Sequence, residues 1–263
     1  MNKSQWILIS AAVLFFAVLY FGFDTKPSKH KEVEKQRASS FTSTDINSLL
    51  VDAKSGLAAQ ASASVMALEG TVEKATADTA KATAYKRLSS LWFQLEKPGI
   101  AGYYAEKVAE IVRDEEAWSI AGTTFSLCLQ REQEEKVKSF CTEHAVQALE
   151  KAASLNPANM QHKVNLALVY AENPPKDTPM KGILMLVDLN KQYPDDVLVL
   201  TQLGRLAIKT SQFDKAVQRL SRAVELAPNN KAATCHLAQA YEGLGEAAKA
   251  ADFKLKCEKL VGN

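Results

Sequence analysis

The side chains best suited to chemistry lie far apart along the chain. The histidines are His30, His144, His162 and His236, and none sits in a run that also supplies a serine nucleophile and an acid. Neither a GxSxG elbow, a GxxxxGK[ST] loop nor a GxGxxG turn occurs. Cys141-x2-His144, with Cys128 upstream, comes nearest to a metal site, because residues three apart on a helix share a face. A structural zinc site needs a full tetrahedral set of ligands, and this group lacks one. Asp114-Glu115-Glu116 and Glu134-Glu135 read as solvated helix surface. The expectation is therefore a protein with no catalytic residues, no cofactor and no metal, and not an enzyme.

The elements that would carry these residues are helical. The chain has 263 residues, with 11 glycines and 8 prolines that cluster rather than spread. Abundant alanine suits helices and gives little support to a large sheet. The formal net charge of +2 argues against a nucleic-acid binder, which normally carries a basic face. Cys128, Cys141, Cys235 and Cys257 are too few for a disulfide-built fold and read first as small apolar fillers between helices. A Cys128–Cys141 bridge is the alternative if the domain lies outside the cytoplasm.

Trp6 to Phe23 contains no charged residue. As a helix it would be about 27 Å long, close to the hydrocarbon thickness of about 30 Å. It exceeds the usual apolar core of a signal peptide, and no small-x-small cleavage site comes after it. We expect an uncleaved single-pass anchor over 1–23, membrane contact through residues 6–23, and a charged tether over 24–43. Lys26, Lys29, Lys31, Lys35 and Arg37 outnumber Lys3 across the span, which places the C-terminal domain in the cytoplasm of a bacterial cell. The periplasmic side is the alternative. From Ile46 to Ala75 apolar residues recur every three or four positions. That pattern predicts a helix over 44–81, started by Ser43 or Thr44, acting as a cap on the rest of the domain or as a self-associating coiled coil.

Further along, one arrangement recurs. Leu203-Gly204, Ala216, Ala223 and Leu226 reappear one repeat later as Leu237-Ala238, Ala250, Cys257 and Leu260, while Phe213, Leu220 and Pro228 complete the first of the two copies. Leu166, Ala167, Tyr170, Gly182, Leu186 and Pro194 form an earlier copy, lengthened in the turn Asn173–Pro179. Trp118-x2-Ala121-Gly122-x2-Phe125 with Ala145, Leu149, Ala152 and Pro157 forms another, lengthened by the charged run Gln130–Ser139. That run is expected to extend the helices or to form a longer exposed turn. Tyr85, Leu88, Trp92, Ala101, Ala105 and Val108 form the weakest copy. Small residues at fixed spacing mark close helix crossings. With a period of about 34 residues, the pattern resembles the tetratricopeptide repeat (TPR) family over Ala82–Asn263. Ala207 departs from it, since an aromatic is usual there.

The resemblance implies an all-α protein: a transmembrane helix, then an α-solenoid of about five units over 82–115, 116–157, 158–194, 195–228 and 229–263. It also implies peptide binding in a concave groove lined by the first helix of each unit. Carried over position by position, the groove residues are Lys86 and Ser90, Ser119 and Thr123, Asn165, then Thr201, Arg205 and Lys209, and last His236 and Gln239. The basic-and-Asn clamp of chaperone-binding members is not reproduced as a set. Arg205 and Lys209, one turn apart, suit an acidic segment. The expected function is a membrane-anchored scaffold for protein partners. Alternatives are an extracytoplasmic chaperone resembling the repeat proteins of cytochrome c maturation, and a structural oligomer built on 44–81.

Overall fold

A computed structural model of the chain describes residues 45–261, which lie within one compact unit. Both the apolar run 6–23 and the tether 24–43 fall outside the described residues. Among the described residues, no helix is long and apolar enough to cross a membrane.

The described chain is a succession of α-helices. Two short ones come first, α1 (Ile46–Ser55) and α2 (Ala59–Lys74). Antiparallel pairs come after them: α3 (Asp78–Gln94) with α4 (Pro98–Val112), and α5 (Glu115–Arg131) with α6 (Glu135–Leu155). Next are α7 (Met160–Glu172) with α8 (Lys181–Gln192), α9 (Val197–Lys209) with α10 (Phe213–Leu226), and α11 (Lys231–Gly243) with α12 (Ala247–Val261). The all-α helical-repeat fold thus obeys the apolar periodicity.

A single local rule starts most of the first helices. Asp114, Asn159, Asp196 and Asn230 each cap one by accepting a bond from a backbone N–H of its first turn. In the last three, a proline lies two residues earlier (Pro157, Pro194, Pro228) and stops the preceding helix. Within each of the last two pairs, the turn needs one left-handed residue. It is Ser211 at φ 57° in one and Gly245 at φ 76°, 34 positions later, in the other. Glycine meets that demand at no steric cost.

Inside each pair, the close crossings fall on small residues. A Cβ on Gly204 would overlap Leu220, one on Gly122 would overlap Leu149, and one on Gly182 would overlap the backbone of α7. Leucines 149, 186, 203, 220 and 237 are essentially inaccessible and form the spine of the solenoid. Full burial of one such side chain contributes about 1.5–3 kcal/mol.

Three expectations are decided by the structure. First, the stretch 44–81 is not one helix. Asp45 caps α1, Gly56 closes it, and the backbone leaves the helical region again at Ala75 and Ala77 before α3 begins at Asp78. The break lets α1 fold back, so that Ile46, Leu49, Leu50, Ala53, Leu57 and Val72 pack against Leu88, Trp92, Ile100 and Tyr104. The apolar residues proposed for a coiled coil are spent within the chain. Second, Gln130–Ser139 takes the helix-extending form of its two expected forms, not the exposed turn. It lengthens α5 and α6, leaving residues 132–134 to reverse the chain. Val137, Phe140 and Cys141, spaced three and four apart, turn inward onto Phe125, and Ile46 and Leu49 of α1 rest on them. Third, the cysteines are not unbridged fillers. Cys128 joins Cys141 across α5–α6, with Cα atoms 6.2 Å apart, and Cys235 joins Cys257 across α11–α12, with Cα atoms 4.9 Å apart. The first is the bridge that the sequence offered as an alternative; antiparallel pairing also closes the second, at a sequence separation of 22, which the sequence did not suggest.

Candidate peptide groove

The first helices α3, α5, α7, α9 and α11 supply the positions named from the sequence. Two adjoining hollows open along α5. The first, about 350 Å³, lies between α3 and α5 over the end of α4. Its lining includes Lys86, Ser90, Val108, Val112 and Ile120. Ile120 is 48% exposed and Val112 47%, an apolar surface offered to solvent within a polar rim of Asp114, Glu116 and Lys86. The second hollow, about 230 Å³, lies between α5, α7 and α9. Its lining includes Thr123, Leu127, Asn165, Leu168, Glu172 and Arg205.

So the structure brings Lys86 and Ser90 together in one hollow, and Thr123, Asn165 and Arg205 in the other. The hydroxyls of Ser90 and Thr123 donate within their own helices, to the carbonyls of Lys86 and Ser119. Asn165 accepts from Gln161 through its oxygen at 2.7 Å, leaving its amide N–H groups for a ligand. Four other positions lie elsewhere. Ser119 lines neither hollow. Thr201 is 3% exposed and donates to the Val197 carbonyl, so it packs rather than binds. Gln239, bonded to His236, opens onto the last helix pair instead.

Arg205 and Lys209 also differ from expectation. They do not wait for an acidic partner, because Glu172 of α7 already takes both. Lys209 Nζ donates at 2.7 Å and Arg205 Nη1 at 3.3 Å to its two oxygens. Burial alone would raise the Glu172 pKa; the bond and charge of Lys209, with Arg205, outweigh it and hold the pKa below the usual value. This carboxylate stays ionised and leaves about one net positive charge at that end of the groove. Glu172, Ile120 and Val112 are the groove residues that position-by-position transfer missed. The signal for Glu172 was its place two turns after Asn165 on the same helix face.

A second polar cluster joins the α5–α6 pair to α7. Glu115, the first residue of α5, accepts from Asn156 and Asn159 at 2.8 and 2.7 Å and bonds His162, which is 2% exposed. The bonds from Asn159, Asn156 and His162 lower the Glu115 pKa to about 2. Among the described residues no three or more His, Cys, Asp or Glu are placed to hold a metal ion, and Cys128 and Cys141 are tied to each other.

With this geometry stands one match to a known family. Residues 201–254 match the tetratricopeptide repeat. The matched TPR segment runs from Thr201 in α9 to Lys254 in α12, and so holds Arg205, Lys209, His236 and Gln239. No curated protein matches the chain. Among solved structures the chain is similar to MamA (residue 41 to the end) from Desulfovibrio magneticus RS-1, at 18% identity and a TM-score of 0.43, over 68% of this chain and 94% of that one. It is also similar to PilW, a widely conserved type IV pilus biogenesis factor, at 16% identity and a TM-score of 0.47, over 69% and 78%. YrrB, a TPR protein with an unusual peptide-binding site, aligns at 17% identity and a TM-score of 0.38, over 76% and 93%. Scores this low lend nothing to the reading of the site, which rests on the helix pairs and the matched TPR segment.

Proposed function

We propose that this protein is a membrane-anchored TPR scaffold that holds a peptide segment of a partner protein against α5, and that it is not an enzyme. The observation that carries the reading is the pair of adjoining hollows on one helix, apolar around Ile120 and polar around Asn165 and Arg205. Seven residues of α5 separate Ile120 from Leu127, about 10 Å along the helix. An extended peptide spans that distance in about three residues. The segment it suits has an apolar side chain for the first hollow and, at least three residues away, a polar or acidic one for the second. Support for the anchor comes from the uncharged run Trp6–Phe23.

The same proposal puts the domain on the extracytoplasmic side, against the Lys and Arg count. Two closed cysteine pairs favour an oxidising compartment, since disulfides in the cytoplasm are rare and mostly transient. Topology and binding are tested together in spheroplasts. Protease added from outside should cut the domain, and deletion of residues 1–23 should release it from membranes. Ile120→Glu should weaken partner capture about tenfold or more, a loss of about 1.4 kcal/mol, with helicity unchanged. Charge reversal at Lys136, away from the groove, should leave capture intact. If Lys136→Glu abolishes capture and Ile120→Glu does not, the groove assignment fails.

A further inference from the structure

The two disulfides sit in opposite surroundings. Cys128 and Cys141 are 1% and 0% exposed. Phe125 and Phe140 pack around them, and α4 closes over them so tightly that a Cβ on Gly99 would lie 3.2 Å from Cys141 Sγ and 3.4 Å from Cys128 Sγ. By contrast, Cys235 and Cys257 are only half-buried and line an open hollow of about 520 Å³ between α11 and α12. An attacking thiol has an open path to the second pair, whereas at the first a hollow reaches only the nearly buried Cys128 and leaves Cys141 covered.

The helix that the second pair ties down lies along α11 as closely as α10 lies along α9, but its burial differs. Among the described helix pairs, α12 alone buries no residue. A shift of 34 positions explains this. Leu220 and Ile208, which belong to the apolar cluster shared by α9, α10 and α11, become Lys254 and Glu242, both exposed. Thr201 and Ala223 become Cys235 and Cys257. Charges thus stand where the preceding pair has apolar residues, and a covalent bond stands where that pair relies on burial. Besides the disulfide, α12 keeps the Tyr241–Phe253 stack at 5.6 Å and Lys249 over Tyr241 at 5.1 Å.

We propose that Cys235–Cys257 is a thiol–disulfide exchange site, and that its opening by a dithiol releases α12 from the end of the solenoid. A thiolate of the dithiol attacks Cys235 Sγ and forms a mixed disulfide; Cys257 leaves as a thiolate. The second thiol of the reagent then attacks the mixed disulfide. Two electrons pass to the protein, which ends with two thiols, and the reagent ends as a disulfide. Cys257 is the leaving group because Lys254 is one turn away on the same face and favours a thiolate there, whereas Cys235 shares its face with Glu242. The co-reactant class is a dithiol whose two sulfurs can close into a disulfide, whether a small molecule or the active site of an oxidoreductase. This inference needs the cysteine pairs closed in the native protein and is independent of the peptide groove.

The test uses the full chain in detergent, purified under alkylating conditions and titrated with dithiothreitol. Differential alkylation read by mass spectrometry should show Cys235 and Cys257 opening at least tenfold faster than Cys128 and Cys141. Hydrogen exchange over 247–261 should then rise at least tenfold while 45–226 stays protected. A Cys235→Ser/Cys257→Ser variant should show the same exchange without reductant, and Lys254→Glu should slow the opening at least threefold. The proposal is overturned if native protein carries free Cys235 and Cys257, if the two pairs open together, or if α12 stays protected after opening or in the double variant. An unchanged opening rate in Lys254→Glu overturns the assignment of Cys257 as leaving group.

Discussion

Gly204 shows how far one missing methyl group sets the geometry of this chain. Its hydrogen faces Leu220, which is fully buried, and any Cβ there would overlap the leucine side chain. Gly204→Ala should therefore cost about 1–3 kcal/mol through overpacking. Gly70, in the middle of α2, has no atom within 4 Å of where its Cβ would stand. Gly70→Ala should instead stabilise by about 0.5–1 kcal/mol, through helix propensity. Thermal melts of the two variants should shift in opposite directions; shifts of the same sign would break the assigned crossing. Gly204, Gly122 and Gly182 were legible in the sequence because a close crossing demands a small residue at fixed spacing. The Cys235–Cys257 pair was not. A cysteine at a small-residue position is what packing alone would accept, as Cys257 in the place of Ala223 shows, and only the pairing of helices reveals that its partner is within reach.

At the scale of elements, the seams between helix pairs carry polar ties of their own. The Glu115 cluster ties the start of α5 to the end of α6 and to α7 through Asn156, Asn159 and His162. Those bonds lower the Glu115 pKa from 4.5 to about 2. A depressed carboxylate pKa contributes stability that is fully present above about pH 4.5 and lost as pH falls towards about 2. Glu115→Gln should therefore lower the melting temperature at pH 7 and flatten its fall between about pH 4.5 and 2. Some acid dependence should remain, because Glu172 is depressed as well. Melting curves that run parallel for both proteins across that window would contradict the role given to Glu115. The helix periodicity was readable throughout, but element ends were less so. Gly56 is a weak residue inside an otherwise unbroken apolar pattern, and only the docking of Ile46 and Leu49 onto Val137 and Phe140 explains why the chain turns there. The same contact gives the charged insertion its purpose, which its composition concealed. A run that looks solvated by charge count carries one inward face, Val137, Phe140 and Cys141, that seats α1.

At the scale of the whole molecule, the account turns on which surface meets a partner. The sequence singled out Lys86, Ser90, Thr123, Asn165 and Arg205, all of which line hollows along α5. It was less reliable about what each side chain does there. Thr201 is turned inward by its bond to Val197, and Arg205 and Lys209 are engaged by Glu172, a pairing across helices that no single-helix pattern displays. Ile120 and Val112 carried no signal in the sequence; their exposure appears only once α3 and α5 are seen to stand apart over α4. The most direct measurement is photo-crosslinking in native membranes from a reactive side chain placed at Ile120, compared with one at Leu184 on α8, which is 56% exposed and lines neither hollow. A partner held in the groove should crosslink from position 120 and not from 184, and Asn165→Ala should reduce the yield at 120. Adducts that form from 184 alone, with none from 120, would contradict the groove as the binding surface.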